Sequence, residues 1–120
     1  MNAIFVYGLL KPGQRLHYIA EPFVERTAPA RAAGRLYDAG VPAARFDEAG
    51  DIDGYLLWIE EARLEEALRV LDELEDEGIE YRRVTIDVAT EDGTLPAHAY
   101  EYLLSLDDRP YVGRVWPSIE

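Results

Sequence analysis

The sequence predicts an α+β fold: a small mixed β-barrel-like sheet with one main helix, forming a single domain over residues 1–120. Three observations support this prediction. Short runs of strand-forming residues are separated by glycine and proline, one long segment has helical periodicity, and a Glu-Asp-Gly turn separates two strand-like segments near the C-terminus. A chain of 120 residues suffices for one hydrophobic core but not for two.

The first half of the chain contains mainly strand signals. An apolar strand over residues 3–7 stops at Gly8, and Pro12 and Gly13 indicate a loop as far as residue 14. The remaining predicted elements are one or two helical turns within residues 16–23, a strand at 28–37, a turn at 38–42 and a strand at 55–60.

The second half contains the main helix, which is predicted over residues 60–75 with Gly78 as its C′ residue. Residues 81–88 alternate as a strand does, and the turn at 91–93 leads to a returning strand at 97–103. The tail after Asp107 contains two prolines and a glycine, so we expect it to be irregular and packed on the surface.

Glu75 lies where the helical pattern predicts a leucine. At about 100° per residue, Leu64, Leu68 and Leu71 form one apolar stripe, and Glu75 falls within the same stripe. One interpretation is that the last helical turn has already left the core. The other is that the carboxylate is partly desolvated, which raises its pKa and suits it to proton transfer near neutral pH.

Composition excludes several functions. The net charge of -12 disfavours nucleic acid and anionic membranes, and no apolar run is long enough to span a bilayer. The absence of cysteine excludes disulfides and thiol catalysis, and the N-terminus does not resemble a signal peptide, so we expect a cytoplasmic protein. His17 and His98 are far apart in sequence, which argues against a metal site, and no serine lies in a nucleophile elbow. The oligomeric state is left open.

The segment Tyr7-Gly8-Leu9-Leu10 has two interpretations. A strand that ends at glycine can turn the following N–H groups towards an anion, but it can equally be an ordinary exit from a strand into a loop.

Two motifs resemble the gamma-glutamylcyclotransferase-like family, and the short chain favours its gamma-glutamylamine cyclotransferase branch, since the glutathione-directed relatives are longer. The first is Phe5-Val6-Tyr7-Gly8-Leu9-Leu10-Lys11-Pro12-Gly13-Gln14, with His17 just beyond it. The second is Leu71-Asp72-Glu73-Leu74-Glu75 followed by Tyr81-Arg82-Arg83-Val84. Gly34-Arg35-Leu36-Tyr37-Asp38 and Gly54-Tyr55-Leu56, between them, are also similar to the family.

The resemblance implies a cofactor-independent enzyme that converts a small γ-glutamyl substrate into 5-oxoproline and a free amine. It implies that Glu75 is the general acid/base and that the backbone of Tyr7, Gly8, Leu9 and Leu10 binds the glutamyl group. It also implies that Tyr81 lines the cavity. Arg83, on the same predicted strand face as Tyr81, either neutralises an acid or braces the fold.

The chain departs from the family pattern at two places. Leu9 occupies a position that is often threonine or serine, so a hydroxyl contact is lost there. Asp76-Glu77 places negative charge next to Glu75, where many relatives have glycine, and we expect it to raise the pKa of Glu75 further. The alternatives to an enzyme are a non-catalytic metabolite-binding module and a relative in fold alone that binds a protein through its acidic surface.

Overall fold

A computed structural model of the chain describes residues 1–117. It has the expected α+β fold, with a closed five-stranded barrel and a separate three-stranded sheet. The elements in chain order are β1 (Ala3–Val6), α1 (His17–Ala20), β2 (Val24–Ala33), β3 (Arg35–Asp38), β4 (Pro42–Arg45), β5 (Asp51–Ile59), α2 (Leu64–Leu74), β6 (Tyr81–Thr90), β7 (Gly93–Tyr102) and β8 (Tyr111–Gly113).

The barrel has the strand order β1-β5-β2-β6-β7. Neighbouring strands pair in antiparallel fashion except where β1 meets β7, a parallel contact between Ile4 and His98 that closes the ring. All four residues of β1 are buried, because this strand lies between two others and packs on both of its faces. Since β1 leads directly into the Tyr7–Leu10 segment, this segment starts from one of the most buried parts of the fold.

The single strand predicted over residues 28–37 is wrong in its boundaries. β2 begins earlier, at Val24, and ends at Ala33, while β3 belongs to the other sheet. Gly34 separates them with a φ of 150°, and a Cβ atom there would lie 2.7 Å from the carbonyl oxygen of Arg45. Only glycine fits this close approach of two backbones, so the chain changes sheets at this residue.

The second sheet corrects two further predictions. Pro42, predicted to close a turn, begins β4, and the tail predicted to be irregular contributes β8, which pairs with β3. Both strands lie at the edges of this sheet, where proline is tolerated and short pairing suffices. The last three residues, 118–120, lie outside the described part of the chain.

The main helix is shorter than predicted. A 3₁₀ turn (Glu61–Arg63) precedes α2, which buries Ala67 and Leu71 completely against the barrel. Its C′ residue is Asp76, with a φ of 52°, rather than Gly78. The N–H of Asp76 donates to the carbonyl of Glu73, and the N–H of Glu77 donates to that of Asp72, so the helix ends in a Schellman motif.

The β6–β7 hairpin and the turns at residues 16–23 confirm the sequence-based prediction. The hairpin connects Thr90 to Gly93 through Glu91 and Asp92, and residues 17–23 form α1 followed by a 3₁₀ turn. No helix within residues 1–117 is both long and apolar enough to cross a membrane.

Candidate active site

A cavity of about 160 Å³ lies between the end of β1, the loop after it, and the C-terminal end of α2. Its wall is largely apolar and aromatic, but three of its side chains are an arginine or a glutamate. These charged side chains are Arg15, Glu75 and Glu80. The uncharged lining residues are Phe5, Val6, Tyr7, Gly8, Leu9, Leu10, Leu16, Val41, Pro42, Leu74, Tyr81 and Tyr100.

Glu75 keeps the phase of the helix. Its N–H donates to the carbonyl of Leu71 at 2.9 Å, so the helical hydrogen-bond pattern extends to the C-cap. Leu71 is fully buried, and Glu75 is the residue one turn further along the same face. The carboxylate is therefore partly buried in the cavity rather than lying on the solvated face of α2.

Burial, together with the negative charge of Glu80, raises the pKa of Glu75 from 4.5 to about 7. A carboxylate with such a pKa exchanges protons readily near neutral pH. The expectation that Asp76 and Glu77 supply the neighbouring charge is not met, because both are exposed and Glu80 is the acid that acts on Glu75. Glu80 precedes Tyr81, at the entrance to β6.

The Tyr7–Leu10 segment lines the opposite side of the cavity. Gly8 is required there because a Cβ atom would lie 2.6 Å from the side chain of Pro42. Within residues 1–117, the N–H groups of Gly8, Leu9 and Leu10 donate no hydrogen bond. Buried backbone donors without a partner are rare in folded proteins, so these three N–H groups are candidate donors to water or to the oxygen atoms of a ligand.

The loop fixes the direction of two of these donors. The carbonyl of Gly8 accepts from Lys11 N–H at 3.2 Å, and the carbonyl of Leu9 accepts from Leu16 N–H at 3.0 Å. In a trans peptide the C=O and the following N–H point in opposite directions. The N–H groups of Leu9 and Leu10 therefore point away from the loop's own hydrogen bonds. A further bond, from His17 Nδ1 to the carbonyl of Leu10 at 2.8 Å, anchors the end of the segment.

Two tyrosines of the wall are held by hydrogen bonds to the backbone. The hydroxyl of Tyr7 donates to the carbonyl of Tyr100 at 2.6 Å, and that of Tyr81 donates to the carbonyl of Pro42 at 2.5 Å. Burial raises the pKa of both hydroxyls well above the usual value, and the charge of Glu75 acts in the same direction. These side chains are thus neutral, fixed walls beside Glu75.

Arg83 is the predicted site residue that the structure does not bring to the cavity. Its guanidinium donates two hydrogen bonds to Asp72, at 2.9 Å and 3.2 Å. Tyr100, which does line the cavity, donates its hydroxyl to the same carboxylate at 2.6 Å. This geometry combines the two roles weighed for Arg83, because its guanidinium neutralises an acid, Asp72 rather than Glu75, and the ion pair also braces the fold by joining β6 to α2.

Sequence reasoning missed three cavity residues with polar side chains: Arg15, Glu80 and Tyr100. Arg15 lies in the loop after the first motif and has no periodic pattern to reveal it. Glu80 and Tyr100 had a usable signal, because Glu80 adjoins Tyr81 and Tyr100 pairs with Arg83 across β6 and β7. A metal centre has no candidate here: among the described residues, no three histidine, aspartate or glutamate side chains cluster suitably for an ion.

Comparison with known proteins agrees with this geometry. The family model described as gamma-glutamyl cyclotransferase, AIG2-like, matches residues 4–117. The chain therefore belongs to this family, whose members are generally cyclotransferases and whose substrates are small molecules. No curated protein matches the chain.

Several solved structures have the same fold. YkqA from Bacillus subtilis is 26% identical with a TM-score of 0.73, and the match covers 95% of this chain but only 39% of YkqA. An AIG2-like protein from Mus musculus is 22% identical with a TM-score of 0.72, covering 92% of this chain and 85% of the mouse chain. The Escherichia coli protein ytfP is 28% identical with a TM-score of 0.60, covering 96% of each chain.

Proposed function

We propose that the chain is a cyclotransferase that releases 5-oxoproline and a free amine from a γ-glutamylamine or a small γ-glutamyl peptide. Glu75 is its general acid/base. One observation carries the proposal: a partly buried carboxylate with a pKa raised to about 7 lines the same small cavity as three residues whose backbone N–H groups have no partner among residues 1–117. The family match is consistent with this reaction.

The reaction is intramolecular. The α-amine of the substrate attacks its own γ-carbonyl carbon, a C–N bond forms to close the five-membered ring, and the bond to the leaving amine breaks. Glu75 accepts a proton from the attacking nitrogen and returns one to the departing nitrogen, so protons balance over the cycle. The nucleophile belongs to the substrate, and the protein's main contribution is to hold amine and carbonyl together.

The remaining cavity groups suit this substrate. The N–H groups of Gly8, Leu9 and Leu10 are donors for a carboxylate or for the oxyanion that develops at the γ-carbonyl. Arg15 is exposed, lines the cavity and forms no ion pair with another described residue, so it is free to bind a substrate carboxylate. Leu9 contributes backbone alone, because its side chain has no hydroxyl.

A panel assay tests the proposal. The protein is incubated with γ-glutamyl amines and γ-glutamyl peptides, and 5-oxoproline is measured by mass spectrometry. We expect release from at least one member. The matched control is the same compound acetylated on its α-amine, which cannot cyclise because the amide nitrogen is a poor nucleophile. Ligand binding without any 5-oxoproline would support a non-catalytic binding module instead.

A further inference from the structure

The carboxylate of Asp72 is the meeting point of a three-residue network. Arg83 donates to both of its oxygens, at 2.9 Å and 3.2 Å, and Tyr100 donates its hydroxyl at 2.6 Å. We propose that this Asp72–Arg83–Tyr100 network positions Glu75 by anchoring the C-terminal turn of α2 to the barrel. The inference rests on the proposed function, in that the group being positioned is the acid/base.

Asp72 holds the helix end through two kinds of contact. It precedes Glu75 by three residues, and its carbonyl accepts the N–H of Glu77 at 2.9 Å while its side chain binds the barrel. The carboxylate of Glu77 in turn accepts the N–H of Arg83 at 3.2 Å. The turn that contains Glu75 is therefore tied to β6 on both sides of the catalytic acid.

The barrel side of the network is rigid. Arg83 and Tyr100 lie directly opposite each other in the β6–β7 pair, so two neighbouring strands present their donors to one carboxylate. A bidentate pair between a guanidinium and a carboxylate restricts orientation as well as distance. Side-chain exposures of 31% for Arg83 and 27% for Asp72 place the pair partly out of water.

The network also reaches the opposite wall of the cavity. The ring of Tyr100 lines the cavity, and its backbone carbonyl accepts the hydroxyl of Tyr7. Asp72 and Tyr100 thus connect the helix that carries Glu75 to Tyr7, the residue directly before the N–H groups of Gly8, Leu9 and Leu10. Proton transfer depends steeply on such a separation, since a shift of about 1 Å can cost up to about 10²-fold in rate.

The adjacent residue on β6 provides a matched control. Arg82 also pairs with one carboxylate, that of Glu101 at 2.9 Å, but this partner lies on β7 and not on α2. Neither member of this pair lines the cavity. Replacing either arginine by glutamine removes one ion pair from the same strand, and only Arg83→Gln releases the helix.

The experiment compares Arg83→Gln with Arg82→Gln by hydrogen exchange and by kinetics. We expect Arg83→Gln to accelerate exchange at the N–H groups of Glu75 and Glu77 and to lower kcat about 10-fold or more with little change in KM. Arg82→Gln leaves both measurements near those of the parent protein. Arg83→Lys, which keeps the charge but not the bidentate geometry, recovers part of the loss.

Hydrogen exchange separates failure of this inference from failure of the proposed function. If no substrate is turned over, the proposed function fails, and exchange at Glu75 and Glu77 still decides whether the network anchors the helix end. Unchanged exchange in Arg83→Gln overturns the inference. Equal effects of Arg82→Gln and Arg83→Gln also overturn it, because the loss would then reflect general weakening of the strand. Tyr100→Phe, which keeps the ring and removes the hydroxyl, is expected to give a smaller change in the same direction as Arg83→Gln.

Discussion

Asp72 and Glu75 lie three residues apart near the end of α2, yet their surroundings are opposite. Asp72 is bound by a guanidinium and a tyrosine hydroxyl. The carboxylate of Glu75 has no hydrogen-bond or ion-pair partner among the described residues, and the charge that raises its pKa is the like charge of Glu80. One carboxylate is satisfied by the fold, whereas the other is left unsatisfied within it.

The difference shows that helical position alone does not assign a role to an acid. Both residues belong to one motif at the end of one helix, and the groups around each carboxylate decide what its charge does. A carboxylate that is hydrogen-bonded and ion-paired holds two elements together. A carboxylate without such partners is less stable in its ionised form, because burial removes water from the charge. Retaining such a group costs stability, and this cost is commonly found at functional sites.

The largest effect is expected from Glu75→Gln, which keeps the shape of the side chain and removes its ability to transfer a proton. We predict a loss of about 10²-fold or more in kcat, measured as the initial rate of 5-oxoproline release. Glu73→Gln, on the exposed face of the same helix, is the control and should keep full activity. If Glu75→Gln retained its activity, Glu75 would not be the general acid/base.

The same two carboxylates should affect stability in opposite directions. The pKa of Glu75 is raised on folding, so the folded state binds its proton more tightly than the unfolded state does. The resulting contribution to the free energy of unfolding is fully present below pH 4.5 and is lost as the pH rises through about 7. Glu75→Gln should therefore be more stable than the parent protein at pH 8, by roughly 1–3 kcal/mol. Asp72→Asn should instead lose about 1–3 kcal/mol, because Arg83 and Tyr100 lose their charged partner.

Denaturant unfolding at pH 5 and pH 8 measures both changes. The advantage of Glu75→Gln should grow between the two pH values. Destabilisation of similar size in both variants would mean that Glu75 has a structural partner of its own.

The next largest effect is expected on the KM of a variant that lacks the positive charge of Arg15. The carboxylate of Asp72 pairs with Arg83 within the fold, whereas Arg15, which lines the cavity, is the cation that we propose binds the substrate. Arg15→Gln should raise KM about 10-fold, since it removes a charge-assisted hydrogen bond to a substrate carboxylate. Arg69→Gln, an exposed arginine of α2, serves as control. An unchanged KM in Arg15→Gln would show that the backbone N–H groups suffice for binding.

The smallest effect is expected at the helix end itself. Asp76 has a φ of 52°, which lies in the left-handed region. This conformation raises the free energy of a residue with a Cβ atom, whereas glycine adopts it freely. Asp76→Gly should stabilise the fold by roughly 0.5–1 kcal/mol, as measured by denaturant unfolding. Glu73→Gly, inside the helix, should instead lose about 1 kcal/mol. A loss at both positions would contradict the Schellman geometry on which the placement of Glu75 depends.

Periodicity was sufficient to predict much of this arrangement. The phase of Leu68 and Leu71 carried through to Glu75, and the alternation of β6 with its turn predicted the hairpin that faces α2. The Tyr7–Leu10 segment was located because a buried strand stops at Gly8. These features depend on local pattern, which a single sequence contains.

Features that depend on distant pairing could not be predicted in this way. β8 forms because residues 111–113 reach β3, and nothing in its short sequence indicates that partner. Arg83 was placed by strand alternation near Tyr81, but its partner Asp72 lies on another element. The C′ residue is Asp76 and not Gly78, because the helix ends two residues earlier than the position of the glycine indicates. Arg15 lines the cavity because of the path of a loop, and no hydrophobic periodicity in the sequence predicts that path.

Titration of Glu75 itself tests most directly whether its carboxylate is desolvated and unpaired. The carboxyl carbons of the glutamates are labelled with ¹³C, their NMR shifts are followed from pH 3 to pH 9, and Glu75 is assigned by its absence in Glu75→Gln. We predict a pKa of about 7, which falls when Glu80→Gln removes the neighbouring charge. A midpoint near the ordinary value of 4.5, unaffected by Glu80→Gln, would contradict this prediction.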